Sequence, residues 1–467
     1  MLTFDLNSKN HIPLYEQLYK YIKNELETGK ISAGEKLPSK RELASHLKIS
    51  IVTVETAYAQ LAAEGYITPR PGSGFYAESV QVGGIWNAEK ESIYIPEKKP
   101  KKTYKYNFRT NMVDTKLFPF STWAKLSREI LSEQSPELLS SCDPRGTYEL
   151  RKEIARYLKS FRGIEVHPDQ IIVGAGSEYL TGLIIQLLGR ELVYGIEEPG
   201  YTKIYRIFSA NCPYIRSIGL DRYGADCASI EQSGADTVHI TPSHHFPLGT
   251  VMPAKRKTQI LGWAYESENR YIIEDDYDSE FRFSGKPVSA VQSLDTLGRV
   301  IYINTFTKSL APSMRISYMI LPPALLEKFM KELGFYACTV PVFEQLTLAK
   351  FMERGHFERH IRRMKKLYRQ RRDTLSDCIN SCGLKNIVSL SGLDAGLHVL
   401  MKVRNSMTER RLVQSAEEND VRVYGLSEYY SFRKDNIPEN FVVAGYSGLN
   451  EEEIAHGTER LEKAWLH

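Results

Sequence analysis

Asn304-Thr-Phe-Thr-Lys308-Ser-Leu-Ala-Pro-Ser-Met-Arg315 follows the apolar run Arg299-Val-Ile-Tyr-Ile303, and Ile272-Ile-Glu-Asp275-Asp-Tyr277 closes a second such run. Each is a short β-branched stretch ending in polar residues. That is the pattern of a buried parallel strand delivering side chains at its C-terminal end. One strand delivers a carboxylate and the next a lysine. A lysine amine can form a Schiff base, and a carboxylate can hold a pyridinium nitrogen protonated. Pyridoxal phosphate (PLP) requires both groups.

Outward from these strands, helical periodicity alternates with short apolar runs. The spacing predicts a helix over 150–161 and strands at 170–174, 237–240, 270–274 and 299–303. This is an α/β domain with a mainly parallel sheet. A long basic amphipathic helical stretch is expected over 348–378, and strands of a smaller subdomain near 396–400 and 440–444.

The N-terminal part reads differently. Apolar spacing predicts a helix over 13–27, ended by Gly29. Ser39 with Glu42 is a capping-box signature for a second helix reaching about Leu47. Lys48-Ile-Ser50 makes a turn, and Ser50 caps a third helix that Gly65 stops. Residues 66–76, with a Gly/Pro-rich tip, read as a β-hairpin. Two helices at a tight turn followed by a hairpin form a winged helix-turn-helix, whose later helix enters the major groove. Between about Glu78 and Lys105 the periodicity vanishes. Val82-Gly-Gly and Ile95-Pro-Glu-Lys-Lys-Pro-Lys-Lys suit an extended tether. The expected division is therefore a DNA-binding domain at 1–77, a flexible linker at 78–106 and a large domain at 107–467.

Bulk properties agree with a two-domain chain. The 467 residues are 42% hydrophobic and 25% charged, with a formal net charge of only +4, so any basic surface is local. No apolar run approaches the roughly 20 residues of a membrane span, and the first residues lack a basic, apolar leader. Six scattered cysteines argue against a disulfide framework, and a reducing cytoplasm is the expected location. Cys378 and Cys382 read as ordinary helix side chains, and no metal site is expected.

Leu37-Pro-Ser-Lys-Arg-Glu-Leu-Ala, Val52-Thr-Val-Glu-Thr-Ala-Tyr and Glu64-Gly-Tyr-Ile resemble the GntR family of bacterial regulators over about residues 11–77. Ile240-Thr-Pro-Ser-His, Ile273-Glu-Asp-Asp-Tyr-Asp-Ser-Glu-Phe and Thr305-Phe-Thr-Lys-Ser-Leu resemble fold-type I PLP enzymes, the class I aminotransferases, across 108–467. Together the chain resembles a MocR/GabR-type regulator. The resemblance implies double-stranded operator DNA as partner, with Arg41 contacting DNA and Ser50, Thr53 and Thr56 at the start of the recognition helix reading bases. Ser39 and Arg70 join them as DNA candidates. Ile51 departs from the family, which commonly has arginine there; apolar contact with a thymine methyl is the alternative. The resemblance also implies a homodimer.

In the large domain Lys308 is the expected Schiff-base lysine, Asp275 the partner of the pyridinium nitrogen and Tyr277 a hydrogen-bond partner of the ring hydroxyl. Tyr201, after Glu198-Pro-Gly, matches the aromatic that stacks on the ring. Gly174-Ala-Gly176-Ser177-Glu178 follows a strand and opens a helix, so its free N–H groups form a phosphate cradle. Thr305, Thr307 and Arg315 are the other phosphate candidates. His244 and His245 either border the ring or are ordinary loop histidines.

Aminotransferases clamp the substrate carboxylate with an arginine near the C-terminus. In Val443-Ala-Gly-Tyr446-Ser447-Gly448 the matching position is Gly448, and a second effector-binding arginine matches Lys203. Neither supplies a bidentate fork. The expected function is a PLP-dependent transcriptional regulator sensing PLP itself or another amine, such as a dipeptide or amino sulfonate. The alternative is an active aminotransferase with a DNA-binding head; a protein-interaction module is a third reading.

Overall fold

The computed structural model describes residues 12–79, 102–285, 288–433, 435 and 437–466. The chain divides into two compact units between Lys101 and Lys102. The tether predicted at 78–106 lies mostly outside the described residues. Its end does not: Lys105 N–H donates to Asp420 (3.1 Å), and Tyr106 is buried in the short strand Tyr106–Asn107, parallel to Val421–Arg422.

The first unit holds helices Leu14–Glu27, Lys40–Leu47 and Ile51–Ala63 and the hairpin of Ile67–Arg70 with Gly74–Ala77. Ser39 and Glu42 form the reciprocal capping box, and Ser50 accepts from the Thr53 N–H. Lys48 turns between the helices with φ +54°. Leu18, Ile22, Leu43, Val54, Tyr58, Leu61 and Ile67 close a small core, and the Tyr58 hydroxyl donates to the Pro38 carbonyl at 2.9 Å.

The second unit is built on a seven-stranded sheet. Its order is Ile171–Gly174, Ser317–Ile320, Val300–Thr305, Tyr271–Asp276, Thr237–Ile240, Tyr194–Glu197, Ile215–Ile218. All neighbours are parallel except Ser317–Ile320, which runs antiparallel to both of its own. Most strand residues are buried, as expected where helices cover both faces. A four-stranded antiparallel sheet, including His398–Val403 and Phe441–Gly445, packs under helices Glu409–Glu418 and Glu451–Leu466.

The helical stretch expected over 348–378 is two helices, Val342–Glu353 and His356–Ser381. Gly355 separates them at φ +66°, a left-handed conformation that the basic amphipathic pattern conceals. Among the described residues no helix is long and apolar enough to cross a membrane.

Candidate functional site: one cavity at the strand ends

The C-terminal ends of the parallel strands open into a cavity of about 500 Å³. Register places Asp275 beside Ile303 and Asp276 beside Asn304, so both motif strands end at the same level. Asp275, Tyr277, Tyr201, Ser177, Glu178, Thr305, Thr307, Lys308 and Arg315 all line this one space. Gly176 lies at its edge: a Cβ there would collide with the Arg315 guanidinium.

Lys308 stands on the short helix Phe306–Ser309, which Thr305 caps directly after its strand. Its amine donates to the Asn111 carbonyl at 2.8 Å. Removal from water lowers its pKa to about 8, with Asp278 and Asp275 pulling upward and Lys203 and Arg109 downward. Asp275 turns toward the cavity, 3.5 Å from His239 Nε2. Asp276 turns the other way, into a buried cluster with Arg162 (3.0 Å), Tyr302 (2.5 Å) and Ser279 (2.9 Å). Burial pushes the Tyr277 phenol well up, and its hydroxyl lies 3.1 Å from His244 Nδ1. His244 in turn is 2.9 Å from Asp278. Tyr201 is 42% exposed and makes a perpendicular ring contact with Phe246.

The opposite end gathers cations and hydroxyls around the N-terminus of helix Ser177–Leu188. Glu178 pairs with Arg315 and, at 2.6 Å, with Lys203. Burial raises the Glu178 pKa, but these two cations outweigh it and hold the carboxyl below its usual range. The side chain thus occupies Arg315, and only the Glu178 backbone N–H is suited to an anion. Thr305 donates to Thr307 and accepts from Ser317, each at 2.8 Å.

An amine, a carboxylate and an anion-binding end in one space suit PLP in charge and chemistry. The position matched to the clamp arginine is closely packed. A Cβ on Gly448 would lie 3.1 Å from Met112 Cβ, and Met112 itself lines the cavity.

Sequence reasoning missed several lining residues. Asn111 acts through its carbonyl, with φ +62°. His239 is an imidazole in the fully buried strand Thr237–Ile240, which was the available signal. Glu197 is also buried. Desolvation raises its pKa to about 7 while Thr241 donates to it through N–H (2.9 Å) and hydroxyl (2.7 Å). Arg109 lines the cavity with no hydrogen bond or ion pair from its side chain among the described residues.

In the first unit, Arg41 is exposed. Ser50 and Thr53 hydroxyls bond each other at 2.8 Å, and Thr56 donates to the Val52 carbonyl. Arg70 stacks over Tyr76 of the hairpin at 4.2 Å. Ile51 and Val52 are 48% and 68% exposed on the first turn of the recognition helix.

These two units define a helix-turn-helix head joined to an aminotransferase-type domain. Residues 14–77 match the bacterial regulatory proteins of the gntR family, and residues 105–461 match aminotransferase class I and II. A helix-turn-helix-type transcriptional regulator of Bacillus subtilis, YdeL, is 40% identical over 98% of both chains. The probable rhizopine catabolism regulatory protein MocR of Rhizobium meliloti is 29% identical, over 100% of this chain and 96% of that one. The pyridoxine biosynthesis transcriptional regulator PdxR of Corynebacterium glutamicum is 28% identical, over 97% and 96%. The large unit has the fold of the multiple substrate aminotransferase of Thermococcus profundus, with TM-score 0.69 and 24% identity over 78% of this chain and 92% of that one. The chain belongs to the MocR-type GntR family of transcriptional regulators, with a DNA-binding head and an aminotransferase-like domain.

Proposed function

We propose that this regulator holds PLP in its larger unit through Lys308 and alters its DNA binding according to what fills the cavity. The carrying observation is that the Lys308 amine, Asp275 and the Arg315 end face one space. PLP bound there supplies an aldehyde carbon that amines can attack. Asp275 would keep the ring nitrogen protonated, Tyr277 would bond the ring hydroxyl, and Tyr201 would pack on the ring. Ser177 and Glu178 N–H groups, Thr305, Thr307 and Arg315 take the phosphate, with Gly176 allowing close approach.

PLP itself is the favoured signal. Gly448 stands where a carboxylate-clamping arginine is expected, with Met112 packed close to it, Lys203 is committed to Glu178, and one relative is named for pyridoxine biosynthesis. Another amine effector is the lesser choice. The head reads double-stranded operator DNA through Arg41, Ser50, Thr53 and Thr56, with Ser39 and Arg70 at the backbone. The working form is a cytoplasmic homodimer whose two heads occupy repeated half-sites. Transamination is confined to slow partial reactions, because substrate orientation supplies much of the rate. The second reading is an active aminotransferase, which the lowered pKa of Lys308 permits as readily as it permits the sensor.

The test is the visible absorbance band of the purified protein with PLP, in wild type and Lys308→Ala, alongside binding to the DNA upstream of its own gene. A band lost in the variant, with DNA affinity changed by PLP alone, supports the sensor. Sustained turnover of an amino donor and keto acid would favour the enzyme. A protein without the band would refute the cofactor reading.

A further inference from the structure

Away from the lysine, two cysteines meet beside the phosphate end of the cavity. Cys142 lies in the loop before helix Tyr148–Arg162, and Cys338 in the loop before helix Val342–Glu353. They are 196 positions apart in sequence. The buried amide nitrogen of Gln345 lies 3.7 Å from the Cys142 sulfur and 3.4 Å from the Cys338 sulfur. The same amide donates to the Val340 carbonyl (2.8 Å), and its oxygen accepts from the Thr147 N–H (2.8 Å). Gln345 thus ties the two loops together and directs both thiols toward one point.

The thiols are unequal. Hydrogen bonds from Cys338 and Gln345 hold Cys142 below the ordinary thiol range against the burial that would raise it, while Cys338 is pushed up. Neither is fully buried. Two partly exposed thiols gathered on one amide are the arrangement of a reactive cysteine with its resolving partner.

Both loops also rest on the strand that leads into the phosphate cradle. Arg145 O accepts from the Val173 N–H (2.8 Å), Cys338 Sγ lies 3.6 Å from the Val173 carbonyl oxygen, and Thr339 accepts from the Ala175 N–H (2.9 Å). Ala175 directly precedes Gly176.

We propose that Cys142 and Cys338 form a peroxide-driven disulfide whose closure shifts the Val173–Gly176 segment and weakens PLP binding. The Cys142 thiolate attacks peroxide, giving a sulfenic acid and releasing hydroxide, which takes up a proton to become water. The Cys338 sulfur then displaces a second water as the S–S bond forms. The two sulfurs are oxidised and the peroxide is reduced to two waters. The effect on PLP rests on the cofactor reading above; the disulfide does not.

The full-length protein with PLP is treated with hydrogen peroxide and analysed by peptide mass spectrometry. The expected result is a linked 142–338 peptide pair, two hydrogens lighter and reversed by dithiothreitol. Cys338→Ser is expected to trap a sulfenic acid at Cys142. Oxidised wild type should bind PLP several-fold more weakly, and oxidised Cys142→Ser should not change. Oxidation of other cysteines while this pair stays reduced overturns the proposal, as does a linked protein with unchanged PLP affinity. Failure of the reduced protein to take up PLP would instead refute the cofactor reading, leaving the linked peptide to decide the disulfide.

Discussion

The Lys308 amine donates to the carbonyl of Asn111, 2.8 Å away, so an early segment of the large unit holds the lysine that follows the strand Val300–Thr305. With a pKa near 8, this amine is half neutral one pH unit above neutrality. Only the neutral amine attacks a carbonyl. The rate of PLP attachment is therefore expected to rise about tenfold per pH unit up to pH 8 and to level above it. Stopped-flow absorbance across this range checks it; a midpoint near the ordinary lysine value of 10.5 would contradict it. The sign for stability is also defined. Burying the ammonium costs the fold in full below pH 8, and the cost disappears as pH rises to 10.5.

Glu178 and an incoming phosphate compete for Arg315. Glu178→Gln removes the competitor and a negative charge beside a dianion. For a partly exposed pair this amounts to about 0.5–1 kcal/mol, or two- to fivefold tighter PLP binding. Equilibrium titration measures it, and weaker binding would show that the carboxylate helps rather than competes.

Ile51 presents a β-branched side chain where the family resemblance leads one to expect arginine, and Val52 beside it is the more exposed of the two. Contact with a thymine methyl is worth about 0.8 kcal/mol, or roughly fourfold in affinity. Replacing thymine by uracil in a selected operator should cost wild type this much and cost Val52→Ser less. Equal losses in both proteins would place Val52 away from the bases.

Ser39 both accepts from the Glu42 N–H (3.2 Å) and has its own N–H bound by the Glu42 carboxylate (2.9 Å). Ser39→Ala removes the first of these bonds and should cost the head about 1 kcal/mol. Amide exchange in Leu43–Leu47 is expected to quicken about fivefold. Unchanged exchange would mean that packing alone holds this helix.

Much of this was legible because strand-end chemistry is local. The motifs around Asp275 and Lys308 each carry their strand and their functional side chain in one short run. Capping likewise announces itself at Ser39 and Ser50. What stayed hidden depends on backbone direction and on distant partners. The apolar run Ser317–Ile320 looks like any buried strand, and nothing in it shows that it runs antiparallel. Asn111 works through a carbonyl, which no side-chain pattern encodes. The commitment of Arg315 to Glu178 spans 137 residues of sequence. Gly355 divides the basic helix because a single left-handed residue does not disturb hydrophobic periodicity.

The position of Tyr106–Met112 has a consequence for communication. Its strand pairs with Val421–Arg422, and Arg109 to Met112 line the cavity a few residues later. Both lie early in the second unit, which begins at Lys102. An occupant that displaces the Asn111 carbonyl from Lys308 would therefore act five residues from the point where Tyr106 pairs with Val421.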